Sequence, residues 1–226
     1  HYLGTDYRSV NGLKYQRIAD GKVGYIYYSS FSDGFLDRNI RYVFQYFMDC
    51  KHGLIIDVRN NGGGSIETCK QLASYFFERD TVSMYLQHKT GPGHSDFSEP
   101  VPVKTEAHEK IQWLRPVVVL ANRASYSATN LFVCMMKDAP YAIVIGDQTG
   151  GGGGMPSSNE LPNGWMVRFS ASPMYDGNMQ HIEFGIEPDI SVDLDSTDVA
   201  KGKDSLIERA CRLLGTRGWS DYSTGL

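Results

Sequence analysis

Short apolar runs alternate with segments of helical periodicity along most of the chain. The runs at 22–28, 54–58, 116–120 and 142–145 have the length and composition of buried strands. Each of the first three is followed by a polar or glycine-rich turn and then by apolar residues at helical spacing. Strands that alternate with helices in this way predict parallel pairing with right-handed crossovers.

Other segments depart from this alternation. Residues 89–110 show no sustained period, and we expect a long loop there. The five glycines at 150–154 are too flexible for a strand and too few for a linker between domains. Residues 165–169 and 188–192 read as further strands, and 204–214 as a closing helix. We therefore expect one domain, consisting of a lead-in segment (1–21), a core (22–214) and a C-terminal tail (215–226).

The composition narrows the class of protein. Of the 226 residues, 41% are hydrophobic, and the net charge is −4 with scattered basic residues, which argues against nucleic acid as a partner. No apolar run approaches the ~20 residues that span a bilayer, so no membrane span is expected. The four cysteines are far apart without metal-ligand spacing, and we interpret them as buried small side chains. A disulfide or a reactive thiol is the alternative.

Three loops that follow predicted strands could form one site, because ligands gather at the carboxyl ends of parallel strands. They are the glycine turn (60–64), the serine turn (124–128) and the run 149–154. Glycines at 62–64 permit positive φ and leave backbone N–H groups free to face an anion. Ser127 begins a predicted helix, where its oxygen would be stabilised and the Ala128 N–H would lie beside an oxyanion. A plain helix cap at Ser127 and a purely structural glycine turn are the alternatives, and Ser125 is a competing hydroxyl.

Four ordered segments resemble one family. They are Leu54-Ile-Ile-Asp-Val-Arg-Asn-Asn-Gly-Gly-Gly64, Val118-Val-Leu-Ala-Asn-Arg-Ala-Ser-Tyr-Ser-Ala-Thr-Asn-Leu-Phe132, Val144-Ile-Gly-Asp-Gln-Thr-Gly-Gly151 and Phe184-Gly-Ile-Glu-Pro-Asp-Ile190. In this order they are similar to the core motifs of the serine peptidases that include C-terminal processing peptidases, the tricorn core protease and the interphotoreceptor retinoid-binding proteins. The resemblance implies an α/β fold, a crotonase/ClpP-like spiral of ββα units with a single catalytic-core domain.

By position, the resemblance places the nucleophile on Ser127 and the oxyanion donors on the N–H groups of Ala128 and Gly63, with Gly62 as the alternate. The Ser-Lys branch of the family carries a lysine where this chain has Gly152, so the resemblance is to the tricorn and retinoid-binding branch. That branch uses a glutamate, best matched by Glu183, and a histidine from a segment upstream of a PDZ-like module.

The general base is therefore open. The resemblance implies that the essential histidine precedes this chain, in which case the upstream PDZ-like and N-terminal segments are partners of the core. Within the chain, His181 lies two residues before Glu183, so alternation would place both side chains on one face of an extended segment. His94, in the 89–110 loop, is the other candidate.

The sequence thus predicts a serine endopeptidase core that cleaves polypeptides through an acyl-enzyme on Ser127, without metal or organic cofactor. The resemblance implies export to a bacterial periplasm or cell envelope. One alternative is a catalytically inactive module that binds a hydrophobic ligand or peptide, since 12% of the residues are aromatic. An acyl-thioester enzyme of the related crotonase fold is a weaker alternative, because nothing resembles a coenzyme A site.

Overall fold

The computed structural model describes residues 6–215. Its helices are α1 (Asp37–Tyr46), α2 (Ile66–Ser74), α3 (Ala128–Lys137), α4 (Ser196–Ala200) and α5 (Ser205–Gly215). Its strands are β1 (Arg8–Val10), β2 (Leu13–Ile18), β3 (Val23–Tyr28), β4 (Gly53–Asp57), β5 (Thr81–Leu86), β6 (Val101–Thr105), β7 (Val117–Ala121), β8 (Ala142–Gly146), β9 (Pro156–Glu160), β10 (Met166–Ser170), β11 (Met174–Asp176) and β12 (Ile190–Ser191).

The main sheet has the strand order β1-β2-β3-β4-β7-β8-β12. Strands β3, β4, β7, β8 and β12 pair in parallel, with Ile55, for example, opposite both Tyr25 and Val118. Strands β1 and β2 add antiparallel partners at one edge. The predicted alternation of strands and helices with parallel pairing is confirmed, and the carboxyl ends of four neighbouring parallel strands meet at one edge of the sheet.

The sheet separates two apolar cores. Leu54 and Ile56 of β4 face the larger core, which also contains the buried sides of α1, α2 and α3. Ile55, between them, faces a second core formed with α5. All three of these side chains are fully buried. This explains why β4 is a continuous apolar run, because a parallel strand that is covered on both faces does not alternate apolar with polar residues.

The 89–110 segment differs from the expected loop, because it contains β6. This strand pairs with β5 in a separate antiparallel sheet of order β11-β5-β6. Pro102 lies on β6, which is an edge strand, and a proline is tolerated there because its missing N–H interrupts no inner pairing. The three prolines of the segment, at 92, 100 and 102, mask the strand pattern of β6 in the sequence.

The predicted lead-in segment (1–21) contributes two strands to the main sheet. Residues 8–18, within the predicted lead-in (1–21), form β1 and β2 and extend the same sheet as the core. Gly215, the first residue of the predicted tail, ends α5. The remainder of the tail (216–226) lies outside the described residues.

The cysteines are free thiols, as the interpretation of buried small side chains expects. Cys50, Cys69 and Cys134 are buried, and Cys211 is partly exposed. Burial raises the pKa of Cys69 to about 12 and that of Cys211 to about 11. Both thiols therefore stay protonated at neutral pH, which makes them poor nucleophiles.

His108 fixes the connection that follows β6. The segment around it is not helical, and its ring packs at 4.9 Å from the Tyr75 ring. Its Nε2 donates to Asp37 Oδ2 at 2.9 Å, while Nδ1 accepts the N–H groups of Lys110 and Ile111. The hydrogen bonds from His108 and Tyr75 lower the pKa of Asp37. This contact ties the connection after β6 to the start of α1.

We predict that Asp37→Asn destabilises the protein at neutral pH and less so in acid. A carboxyl whose pKa is lowered by folding contributes stability above its unfolded pKa of about 3.9 and loses that contribution as the pH falls through its folded pKa. Because Asp37 is half exposed, the expected loss at pH 7 is at most about 1 kcal/mol. Urea unfolding at pH 7, 5 and 3 measures it, with the exposed Asp20→Asn as control. A loss that is constant with pH would contradict the assignment.

Candidate active site

The loops at the carboxyl ends of the parallel strands lie side by side in the order of their strands. After β3 and β4, Phe31 and Gly64 form a parallel bridge, and after β7 and β8, Tyr126 and Gly151 form another. Between these bridges, the loops after β4 and β7 are joined by a hydrogen bond from the Tyr126 N–H to the Asn61 oxygen at 3.0 Å. The glycine turn and the serine turn, predicted to share a site, are therefore in direct contact.

Ser127 has a backbone conformation that residues other than glycine rarely adopt. It lies at the N-cap of α3 with φ 58° and ψ −121°. Its N–H donates to the Gly151 oxygen at 2.9 Å, and its own oxygen accepts the Leu131 N–H. Nucleophilic serines on sharp strand-to-helix turns have this kind of strained backbone, which is maintained only when the surroundings enforce it.

The Ser127 hydroxyl does not cap its helix. No side-chain hydrogen bond to the first turn of α3 is formed, and no partner of Oγ occurs among the described residues. The side chain is partly exposed. The capping alternative for Ser127 is therefore not realised, and the hydroxyl remains available at the positive end of the helix dipole.

Ser125, the competing hydroxyl, has a structural role. It is fully buried, and its Oγ donates to the Val58 oxygen at 2.9 Å while accepting the Asn122 N–H at 3.1 Å. It therefore joins the ends of β4 and β7 beneath the turn.

Two glycines let backbone segments pack closely, one against Ser127 and the other against Glu183. A Cβ at Gly63 would lie 2.8 Å from the Ser127 Cβ and 2.9 Å from the Ala128 nitrogen. A Cβ at Gly151 would lie 2.0 Å from the Glu183 oxygen, and φ there is +82°. Neither position has room for a side chain, so the glycine run at 150–154 has a packing role as well as conformational freedom.

The N–H groups around Ser127 are not equally available. The Ala128 N–H, in the first turn of α3, has no acceptor among residues 6–215. The Gly63 N–H donates to Asn61 Oδ1 at 3.0 Å, and Asn61 is itself fixed by a hydrogen bond to the Tyr28 oxygen. The Gly62 N–H has no acceptor in the described part of the chain, and Gly62 is exposed.

Gly64 is a further possible donor that the sequence reasoning did not select. The Gly63 carbonyl accepts the Phe31 N–H at 2.9 Å. In a trans peptide the N–H points opposite to the preceding C=O, and the described residues contain no cis bond. The Gly64 N–H is therefore directed away from Phe31. Gly64 is singled out by the pairing of Gly63 with Phe31, a contact between distant segments that no local sequence pattern predicts.

Glu183 is connected to Ser127 through the glycine run. Its backbone oxygen accepts the Gly152 N–H at 2.9 Å, next to the Gly151 carbonyl that holds Ser127. Its carboxylate accepts the Gly154 N–H at 2.7 Å and the Ser170 hydroxyl at 3.0 Å. The carboxylate is thus fixed by the glycine run and by β10.

His181 contacts Glu183 through the backbone and not through the carboxylate. Its Nδ1 accepts the Glu183 N–H at 3.2 Å, and its ring packs against Tyr175 and Phe184. A neutral imidazole has a single acceptor nitrogen, so this hydrogen bond occupies the lone pair that a general base needs. No hydrogen bond between His181 and Ser127 occurs among the described residues. His94 is exposed, and no hydrogen bond of its ring occurs there either.

The Tyr126 ring occupies the space beside Gly152, the position that carries a lysine in the Ser-Lys branch. A Cβ at Gly152 would lie 2.5 Å from Tyr126 Cζ, and φ at Gly152 is +77°. The Tyr126 ring thus covers the glycine run next to Ser127. A side chain at 152 would have to displace this ring.

An ion-pair network supports the glycine turn from the α5 side. Arg59 binds the buried Asp57 through Nε at 2.9 Å and Nη2 at 2.6 Å, and binds Asp204 at 2.8 Å. Burial alone would lower the pKa of Arg59, but the hydrogen bonds and charges of both carboxylates raise it above its ordinary value. Because Arg59 directly precedes the turn, the network fixes the turn relative to α5.

No group of three or more His, Cys, Asp or Glu side chains between residues 6 and 215 could hold a metal ion. In the same part of the chain, no helix is long and apolar enough to cross a membrane.

The chain belongs to peptidase family S41, whose model matches residues 22–192. This finding confirms the family resemblance of the four sequence segments. The crystal structure of a presumed peptidase from Parabacteroides merdae is 52% identical, with a TM-score of 0.93 over 97% of this chain and 69% of that one.

More distant proteins share the family or the fold. The carboxy-terminal processing protease CtpB of Bacillus subtilis is 26% identical over 179 residues, which are 78% of this chain and 35% of CtpB. The tricorn protease, 19% identical, has the same fold with a TM-score of 0.53 over 86% of this chain and 18% of that protein. The predicted crotonase/ClpP-like α/β fold is confirmed. The chain spans about a third of the length of the curated relatives that it matches.

We predict that Ser127→Gly is more stable than Ser127→Ala. Both variants remove the hydroxyl, but only glycine adopts positive φ without steric cost, so the free energies of unfolding should differ by about 1 kcal/mol or more. Urea denaturation of the two variants measures the difference. Equal stabilities, or a more stable alanine variant, would show that the backbone of Ser127 is not strained.

Proposed function

We propose that this chain is the catalytic core of a serine endopeptidase with Ser127 as the nucleophile. The observation that carries the proposal is the Ser127 hydroxyl, which does not cap α3 and lies on a strained turn at its start. The adjacent Ala128 N–H has no acceptor within residues 6–215. Membership of peptidase family S41 supports it.

In the proposed reaction, Ser127 Oγ attacks the carbonyl carbon of the scissile peptide bond while the general base takes its proton. The tetrahedral oxyanion is stabilised by the Ala128 N–H and by an N–H of the glycine turn. Its collapse breaks the C–N bond, and the amine leaves with the proton from the base. Water then attacks the acyl-enzyme with help from the same base, which releases the carboxylic acid and restores Ser127.

For the second oxyanion donor we favour Gly64. Its N–H points away from Phe31 and has no acceptor in the described structure, whereas the N–H of Gly63 is bound to Asn61. Gly62 stays the alternate from the sequence analysis. Gly63 then has a different part in the site, since its lack of a side chain lets the turn reach Ser127.

We propose that the general base is a histidine from a segment upstream of this chain, oriented by Glu183. His181 is a weaker candidate because the lone pair of its Nδ1 is used by the Glu183 N–H. The Glu183 carboxylate is held by Gly154 and Ser170 close to the glycine run that binds Ser127. A fixed carboxylate can orient an imidazole and stabilise its protonated form.

The substrates would be extended polypeptides, which can add to a sheet edge through their backbones. The upstream PDZ-like and N-terminal segments would be intramolecular partners of the core. By family resemblance, the protein would act after export, in a bacterial periplasm or cell envelope. No organic or metal cofactor is required, because imidazole, carboxylate, amide and water suffice for this chemistry.

A fluorophosphonate probe tests the nucleophile, because its phosphorus bonds to an activated serine oxygen with loss of fluoride. We expect an adduct on Ser127, mapped by peptide mass spectrometry at pH 6–9, and none in Ser127→Ala. The 226-residue chain should react about 10²-fold or more slowly than an N-terminally extended form that supplies the base. Ser125→Ala is the matched control and should label like the wild type where it folds.

The other outcomes separate the alternatives. Equal labelling rates in both forms would place the base within this chain and return His181 and His94 to consideration. Absence of an adduct in both forms would refute the peptidase proposal. Saturable binding of a hydrophobic ligand by such an unreactive protein would then favour the inactive binding module.

A further inference from the structure

Two buried polar side chains that the reaction does not use connect the nucleophile helix to the Glu183 segment. Asn130 lies on α3, three residues after Ser127, and Thr149 precedes the glycine run. Both are fully buried. A polar group in such a place costs stability unless its hydrogen bonds are satisfied, so the pattern of these bonds is informative.

The hydrogen bonds leave both side chains fully oriented. Asn130 Nδ2 donates to the Ile182 oxygen at 2.9 Å, and its Oδ1 accepts the Thr149 hydroxyl at 2.5 Å. The same Thr149 oxygen accepts the Ile186 N–H at 2.7 Å. The Thr149 N–H also donates to the Ile186 oxygen at 3.1 Å. Nδ2 faces a carbonyl oxygen and Oδ1 faces a hydroxyl donor, so a flipped amide would bring two oxygens together, and the amide of Asn130 has one orientation.

These bonds fix the segment 182–186 at both ends, with Glu183 between them. The Ile182 carbonyl is held by α3, and Ile186 is held by Thr149. Glu183 in turn contacts the glycine run whose Gly151 carbonyl holds the Ser127 N–H. The network thus determines where Glu183 lies relative to Ser127.

We propose that Asn130 and Thr149 are positioning residues, which set the place of Glu183 relative to Ser127 and so control the rate of acylation. This inference rests on the proposed function. An apolar pair of similar shape could fill the same volume, but it would not define the position of the segment through directional bonds. Misplacement of a catalytic group by about 1 Å can cost ~10² in rate.

Thr149→Val tests the network, because valine keeps the shape and removes the hydroxyl. With a fluorophosphonate on the N-terminally extended protein, we expect the maximal labelling rate to fall about tenfold or more. The probe concentration at half-maximal rate should change less than about twofold, because the network does not contact the probe. Thr149→Ser keeps the hydroxyl and should label within about twofold of the wild type.

A double-mutant cycle with Glu183→Gln separates positioning from a general structural effect. If the network acts through Glu183, Thr149→Val should cause little further loss of labelling rate in the Glu183→Gln background. The same loss in both backgrounds, or no loss in the wild-type background, would overturn the proposal. If wild type itself does not label at Ser127, it is the proposed function that fails.

Folding is controlled by a second variant. If Thr149→Val does not fold, the pair Asn130→Leu/Thr149→Val replaces both partners by apolar groups of similar shape, which is better tolerated than removal of one partner. We expect the pair variant to lose labelling rate to the same extent as Thr149→Val, and to lose little further rate in the Glu183→Gln background. A folded pair variant that labels at the wild-type rate would overturn the proposal.

Discussion

The close approach of three backbone segments around Ser127 is the constraint on which the site depends. The glycine turn after β4, the serine turn after β7 and the glycine run after β8 pack closely together. A Cβ on Gly63 would lie 2.8 Å from the Ser127 Cβ, and one on Gly152 would lie 2.5 Å from Tyr126 Cζ. Ser127 packs against Gly63 on one loop and donates its N–H to the Gly151 oxygen on another, and these contacts hold its backbone at positive φ. The strain at this residue is therefore a consequence of packing, and it leaves the hydroxyl outside the capping geometry.

Two polar networks support this arrangement from opposite faces of the sheet. Asp57 and Arg59 connect the glycine turn to α5 on one face. Asn130 and Thr149 connect α3 to the Glu183 segment on the other. In both cases the buried polar groups are paired, and directional bonds of this kind define positions that apolar packing alone leaves adjustable. The apolar cores stabilise the sheet, and the networks locate the loops.

Local patterns predicted much of the fold and part of the site. The apolar runs located β3, β4, β7 and β8, and the ordered motifs brought Ser127 and the glycine turn together. The strand β6 was missed because Pro102 within it and Pro100 before it are typical of a loop. The availability of individual N–H groups could not be predicted, since the Gly63 and Gly64 donors are decided by bonds to Asn61 and Phe31. The hydrogen bond between Asn130 and Thr149 likewise depends on the packing of distant segments. The sequence also does not show that the Nδ1 lone pair of His181 accepts a backbone N–H.

The measurement that tests the account most directly is a crystal structure of the protein after reaction with a fluorophosphonate. We predict a phosphonyl group on Ser127 Oγ, with one phosphonyl oxygen about 2.7–3.1 Å from the nitrogens of Ala128 and Gly64. An adduct on another residue would contradict the assignment of the nucleophile. A phosphonyl oxygen on Ser127 that is turned away from both nitrogens would contradict the role given to the packed loops.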